Sequence, residues 1–169
     1  PIDTYKSQKR GGKGITGIAT REEDFVKEIF TCSTHDTILF FSNKGKVYRL
    51  RGYEIPEAGR TAKGTAIVNL LMLDGGEKIS AVIPIATFAE GKYLLMATKN
   101  GIIKKTALNE YMSVRKSGLI GITLKEEDEL IDVRLTDGED NVVLVTHKGM
   151  CITFDEKDVR PMGRVSQGV

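Results

Sequence analysis

The seven residues Gln8-Lys9-Arg10-Gly11-Gly12-Lys13-Gly14 place three cations among three glycines. Lysine and arginine pair with phosphate oxygens, and glycine lets backbone N–H groups approach the same oxygens closely. The chemistry this stretch suits is neutralisation of a polyanion, not bond-making. Looser relatives return along the chain at Arg60-Thr61-Ala62-Lys63-Gly64, Arg115-Lys116-Ser117-Gly118 and Arg164-Val165-Ser166-Gln167-Gly168. Further cations cluster at Lys44, Lys46, Arg49 and Arg51, and at Lys99, Lys104 and Lys105, while acids gather at residues 22–24, 126–129 and 137–140. With 25 Lys+Arg against 23 Asp+Glu, the net charge of +2 says little about partners, so the placement of the charges matters more.

Catalytic chemistry has little support. Residues 12–17 match G-x-G-x-x-G, but Gln8, Lys9 and Arg10 stand where a dinucleotide fold needs a buried strand. No G-x-x-x-x-G-K-[ST] is present. His35 and His147 read as turn or edge residues. Cys32 and Cys151 lack metal or disulfide spacing and read as small core residues in strands of a reduced, cytoplasmic protein. Tyr5, Tyr53 and Tyr111 each precede a basic turn and read as packing beneath it. No Ser/His/Asp or paired-carboxylate arrangement recurs, so no catalytic residue, metal site or cofactor is expected in this chain. No apolar run approaches the length that spans a bilayer, and no basic-then-apolar leader is visible, so no membrane partner is expected.

The elements that must position the cations are repeated hairpins. Residues 37–50, 93–106 and 142–154 each read as an apolar, β-branched or aromatic run, a turn ending in Gly45, Gly101 or Gly149, and a second run. The pairs Lys44-Gly45, Asn100-Gly101 and Lys148-Gly149 suggest tight two-residue turns, for which Asn-Gly is the strongest signal. The glycines recur at about fifty residues, a period of blade arrays and not of short solenoids. Each hairpin is preceded by a basic glycine turn and two apolar stretches. The expected fold is all-β and propeller-like, with three four-stranded blades and repeats over 1–54, 55–109 and 110–160; residues 161–169 open a fourth. Residues 20–30 carry a helix-like capping pattern at Thr20 and Glu23. However, Val26 and Ile29 align with Ile79/Val82 and Leu130/Val133, and Pro84 follows the second pair, so the comparison favours a strand. Basic turns at matching stations would form a discontinuous positive belt, suited to the regularly spaced phosphates of duplex DNA.

The string at residues 8–14 resembles the Q-[RK]-R-G-G-[RK]-G box found in the C-terminal domain of the DNA gyrase A subunit. Residues 42–48 and 162–168 are similar to other stretches of that domain, and the resemblance spans the whole chain. It implies a β-pinwheel in which neighbouring blades exchange strands, here half of the usual six blades, entered mid-blade at Pro1. Open blade edges would then invite pairing with another copy. It also implies a non-catalytic module that wraps double-stranded DNA, with weak sequence preference, for ATP-driven negative supercoiling by a bacterial, chromosome-associated type II topoisomerase. The partners are the remainder of the gyrase A subunit and the gyrase B subunit, and ATP and Mg are used elsewhere in that enzyme. Gln8, Lys9, Arg10, Gly11, Gly12, Lys13 and Gly14 take the box role. Lys44, Lys46, Arg49, Arg51, Arg60, Lys63, Lys104, Lys105, Arg115, Lys116 and Arg164 are expected to add DNA contacts. The related topoisomerase IV protein generally lacks an intact box, which favours gyrase. The alternative is a propeller-type protein-interaction scaffold, against which the missing Trp-Asp and Gly-His signatures and the phased charge both count.

Overall fold

Three antiparallel hairpins organise the chain: β1 (Thr37–Ser42) with β2 (Lys46–Arg51), β4 (Tyr93–Thr98) with β5 (Ile103–Ala107), and β8 (Asn141–Val145) with β9 (Cys151–Asp155). They are seen in a computed structural model that describes residues 2–21 and 23–169. Pro1, where the chain is expected to enter mid-blade, and Glu22 of the first acidic turn lie outside the described residues. The loops are a residue longer than the tight turns the sequence suggests. In the second, the Gly101 N–H donates to Thr98 O (3.0 Å), the Thr98 N–H donates to Ile102 O (2.9 Å), and the Ile102 N–H donates to Thr98 Oγ1 (3.1 Å). Gly101 has φ +87°, whereas Asn100 is not among the residues at positive φ. This is a three-residue loop closed by one left-handed glycine, not a type I′ turn.

Strand exchange then builds the blades. β3 (Ile79–Ile85) follows the first hairpin in sequence but pairs back onto β1, with Leu39 opposite Ile83. β7 (Leu130–Thr136) repeats the move on β4, with Leu95 opposite Arg134. Both ladders shift register at the same point, Phe41/Ser42 and Ala97/Thr98. The short β6 (Leu119–Ile120) completes the first blade against Lys46 and Val47 of β2. On β5, Val169 exchanges backbone hydrogen bonds with Ile103 in the equivalent place. The all-β, propeller-like architecture is therefore present, but among the described residues the sheets have four, three and two strands, not four each. Each blade draws strands from successive repeats, so the count falls toward the end of the chain.

The same rule corrects the reading of residues 20–30. Their repeat counterparts, β3 and β7, lie on the hairpin of the preceding repeat, and among the described residues no hairpin precedes residue 20. Without a ladder to satisfy its N–H and C=O groups, an isolated strand does not persist. The described residues of the segment are in neither strand nor helix, and Phe25 and Ile29 are 75% and 88% exposed.

The largest core lies between the first two blades. Leu39, Phe41, Val47, Leu94, Met96, Leu108, Tyr111, Ile122, Leu130 and Val133 meet there, with the Phe41 and Tyr111 rings edge to face at 5.7 Å. Burying each such side chain stabilises the fold by roughly 1.5–3 kcal/mol, so this interface holds the array together. Leu71 covers the outer face of the first sheet at Ile38, Phe40, Tyr48 and Leu50, whereas Val143 and Val145, with their cross-strand partners Thr153 and Cys151, leave the last hairpin open on one face. Cys32 and Cys151 are exposed free thiols, not core residues. Cys32 precedes the first strand, and Cys151 lies on the exposed face of its two-stranded sheet, opposite Val145. Tyr111 is buried beneath its turn, but Tyr5, whose hydroxyl reaches the Gly17 carbonyl, and Tyr53, in the turn just after β2, are mostly exposed. Among the described residues no helix is long and apolar enough to cross a membrane.

Candidate nucleic-acid interface

The box at residues 8–14 closes on itself. Gly12 N–H donates to Lys9 O (3.1 Å), forming a turn, and Gly14 N–H donates to Gln8 Oε1 (2.8 Å) across it. Gln8 is thus a brace. Gly12 makes room for it, since a Cβ there would lie 2.5 Å from Gln8 Oε1. Gly11 and Gly14 adopt φ +87° and +76°, a region open to glycine at little cost. The Tyr5 hydroxyl donates to Gly17 O (3.2 Å) and draws the flanking segments together. Lys9, Arg10 and Lys13 are exposed, and among the described residues they form no ion pair or side-chain hydrogen bond. A small loop therefore presents three uncommitted cations with glycine backbone between them.

The looser relatives share the turn. Ala62 N–H donates to Gly59 O (3.0 Å), Gly118 N–H to Arg115 O (3.0 Å) and Ser166 N–H to Gly163 O (3.1 Å). Gly64, Gly118 and Gly168 all have positive φ, at +78°, +83° and +94°. Their surroundings differ. Turn 115–118 sits on the first hairpin: the Tyr48 ring lies where a Gly118 Cβ would be, at 2.6 Å, and Lys116 is paired with Glu54. The Glu54 carboxyl is held below its ordinary range by the Arg51 N–H and then by Lys116. Turn 163–168 sits on the second hairpin, where a Gly168 Cβ would be 2.6 Å from Ile103 O. Turn 59–64 is less committed: Arg60 is half-buried, Lys63 is exposed, and neither has a side-chain partner among the described residues.

The other expected contacts divide. Arg115 is exposed, and Arg49 is half-exposed close to the charge of Glu54. Lys44 Nζ donates to Gly75 O (3.0 Å), and Arg51 Nη1 to His35 O (3.2 Å) and Thr37 Oγ1 (3.0 Å). Lys46 is bound to Asp74 at 2.6 Å; this contact raises the lysine pKa and lowers that of the carboxyl. Lys46 and Lys116 are therefore tucked against carboxylates. Both pairs are solvent-exposed enough for salt to screen them and for a phosphate to compete. Arg164 is half-exposed, with Nη1 donating to Ile120 O.

Lys104 and Lys105 do not belong to the surface. They alternate on β5, which has sheets on both sides, and both are buried. Lys104 Nζ donates to Gly121 O (2.8 Å), Ser166 O (3.3 Å) and Arg164 O; burial, and secondly the charge of Arg164, lowers its pKa to about 8. Lys105 Nζ donates to Glu156 O (2.8 Å) and lies 5.1 Å from the centre of the Tyr93 ring. A signal was present in the sequence: adjacent residues of a strand face opposite ways, so two neighbouring lysines cannot share one wet face. A second unforeseen device is the buried Glu77 carboxylate, which accepts from the Tyr48 hydroxyl (2.8 Å) and the Asp74 N–H (2.8 Å).

The family model described as the DNA gyrase C-terminal domain, β-propeller, matches residues 1–33, 36–86, 92–137 and 140–169. The DNA gyrase A subunit of Clostridium acetobutylicum is 59% identical over 167 residues, covering 99% of this chain and 20% of that protein. Its counterpart from Halalkalibacterium halodurans is 57% identical, covering all of this chain and 20% of its own length. The chain thus spans about a fifth of these curated relatives. Among solved structures, the C-terminal domain of DNA topoisomerase IV superposes with a TM-score of 0.75 at 40% identity, over 80% of this chain and 42% of that one. A DNA gyrase A C-terminal domain gives 0.67 at 26% identity, over 99% and 53%. The chain belongs to the DNA gyrase C-terminal domain family.

Proposed function

We propose that this member of the gyrase C-terminal family binds duplex DNA on its basic glycine turns and bends it, as the non-catalytic wrapping part of a bacterial DNA gyrase. The observation that carries this is the box itself: a turn braced by Gln8 that leaves Lys9, Arg10 and Lys13 without protein partners among the described residues. Turns 59–64, 115–118 and 163–168 supply weaker contacts through Arg60, Lys63, Arg115, Arg164 and, by exchange with its carboxylate, Lys116. Lys44, Lys46, Arg49 and Arg51 on the first hairpin add to the field. Among the described residues no α-helix is available to enter a groove, so the contacts go to phosphates and sequence preference is weak. Smoothly bending 20–30 bp by 40–90° costs on the order of 1–6 kcal/mol, which many distributed contacts can offset. In the whole enzyme, the remainder of the gyrase A subunit, together with the gyrase B subunit, would supply strand passage and ATP hydrolysis, in the cytoplasm beside the chromosome.

The test is a titration of linear duplex DNA across salt concentrations. Tight binding at low salt is expected, with log K falling by about 0.9 per phosphate neutralised for each decade of salt. Topoisomerase relaxation of plasmid in the presence of the chain then reads bending, as a shift in linking number. Binding indifferent to salt and to charge reversal in the box would overturn the proposal and favour a protein-interaction scaffold.

A further inference from the structure

We propose that Lys104 is a positioning residue, whose buried ammonium pegs the basic turn 163–168 onto the second hairpin and so sets where that turn meets DNA. This rests on the DNA-binding function proposed above. Lys104 is fully buried, yet its Nζ bridges three backbone carbonyls: Gly121 O from the third repeat, and Arg164 O and Ser166 O from the turn itself. An ammonium carries three donors and no acceptor, which matches a cluster of carbonyls and nothing apolar. Thr123 holds the same turn from the other side, its hydroxyl donating to Val165 O (2.6 Å) and its N–H to Ser166 O (3.2 Å). Met162 N–H to Lys105 O (2.7 Å) and the Ile103–Val169 pair clamp the two ends.

The station itself recurs. The third residue past the hairpin glycine is Tyr48 after Gly45, Lys104 after Gly101 and Ile152 after Gly149. Tyr48 seats Gly118 of turn 115–118 through its ring, and the Lys104 Cβ lies 3.1 Å from where a Gly168 Cβ would be. The second blade therefore does with charge what the first does by shape. The charged and titratable groups around Lys104 are Arg164, Glu110 and Tyr111, and burial with Arg164 makes the ammonium costly to hold. A buried charge retained at a cost fits a role in fixing one arrangement better than a role in bulk stability. What it fixes carries the half-exposed Arg164, and among the described residues the N–H groups of Val165 and Gln167 donate to no protein acceptor.

The experiment compares the full chain with Lys104→Met, Lys104→Arg and Thr123→Val, reading DNA affinity against salt and amide exchange at Ser166 and Val169. Lys104→Met should speed exchange at both amides and lower affinity about five- to tenfold near 0.1 M salt, as expected when one phosphate is no longer neutralised. Lys104→Arg should recover part of both, and Thr123→Val should shift both in the same direction by less. Should Lys104→Met fail to fold, Thr123→Val carries the test alone. Faster exchange with unchanged salt dependence would overturn the positioning role, as would unchanged exchange. Absence of DNA binding by the unaltered chain would instead sink the DNA-binding function, while exchange would still report the peg.

Discussion

The box at residues 8–14 and the turn at residues 115–118 share one local design and do different work. Both close with an i to i+3 backbone hydrogen bond and end in a left-handed glycine. The box is completed by its own side chain, Gln8, and among the described residues nothing pairs with its three cations. The later turn is completed by the rest of the protein: Tyr48 fills the space over Gly118, Glu54 takes Lys116, and β6 runs on from it along β2. A turn that docks spends part of its charge on docking, whereas a turn that braces itself keeps its charge for a ligand.

Charge reversal should give the largest contrast. Lys9→Glu, Arg10→Glu and Lys13→Glu together should weaken DNA binding about 10²–10³-fold near 0.1 M salt, three phosphates at about 0.9 log units each. Arg115→Glu with Lys116→Glu should cost nearer tenfold, since Lys116 already has a partner; equal losses would break the distinction. Fluorescence anisotropy with a labelled duplex reads both.

Stability should show the reverse order. Gly118→Ala forces a Cβ against the Tyr48 ring at positive φ and should destabilise by about 3 kcal/mol, from strain and overpacking combined. Gly14→Ala has the same backbone demand but open space, and should cost about 1 kcal/mol. Denaturant unfolding distinguishes them, and similar values would mean that docking adds nothing. Gln8→Ala should leave the unfolding midpoint unchanged while lowering DNA affinity several-fold, because the brace shapes the box and supports nothing else.

The smallest effect separates the two turns by pH. Glu54 titrates below its ordinary range when folded, so its contribution is present at neutral pH and is lost as pH falls through that lowered value. Acid should therefore loosen turn 115–118, measured as faster exchange at Gly118 between about pH 5 and 3, and Glu54→Gln should flatten the response. The box, braced by a neutral carboxamide, should not respond.

Legibility in the sequence followed the range of the interactions. The hairpins could be read because Ile38, Phe40, Val47 and Leu50 sit in short apolar runs around a glycine that takes positive φ. The box could be read because its cations and glycines are contiguous. The loop type could not: Asn100-Gly101 signals a two-residue turn, but the Thr98 side chain, accepting from the Ile102 N–H, favours the longer loop. Val26 and Ile29 resemble one more strand in sequence, and only their missing partner shows otherwise. Lys104 and Lys105 resemble more surface charge, and nothing next to them in sequence reveals the carbonyls they meet.

The residues alone determined what neighbours along the chain can settle: turns, hairpins, the braced cationic loop and the fifty-residue rhythm that makes an array of blades. Tertiary structure decided which strand completes which blade, and which cations are spent inside the protein. Those outcomes depend on pairings between residues far apart in sequence, such as Leu39 with Ile83 and Lys104 with Ser166. Local propensity cannot encode them, because the energy of each is realised only when both partners are already in place.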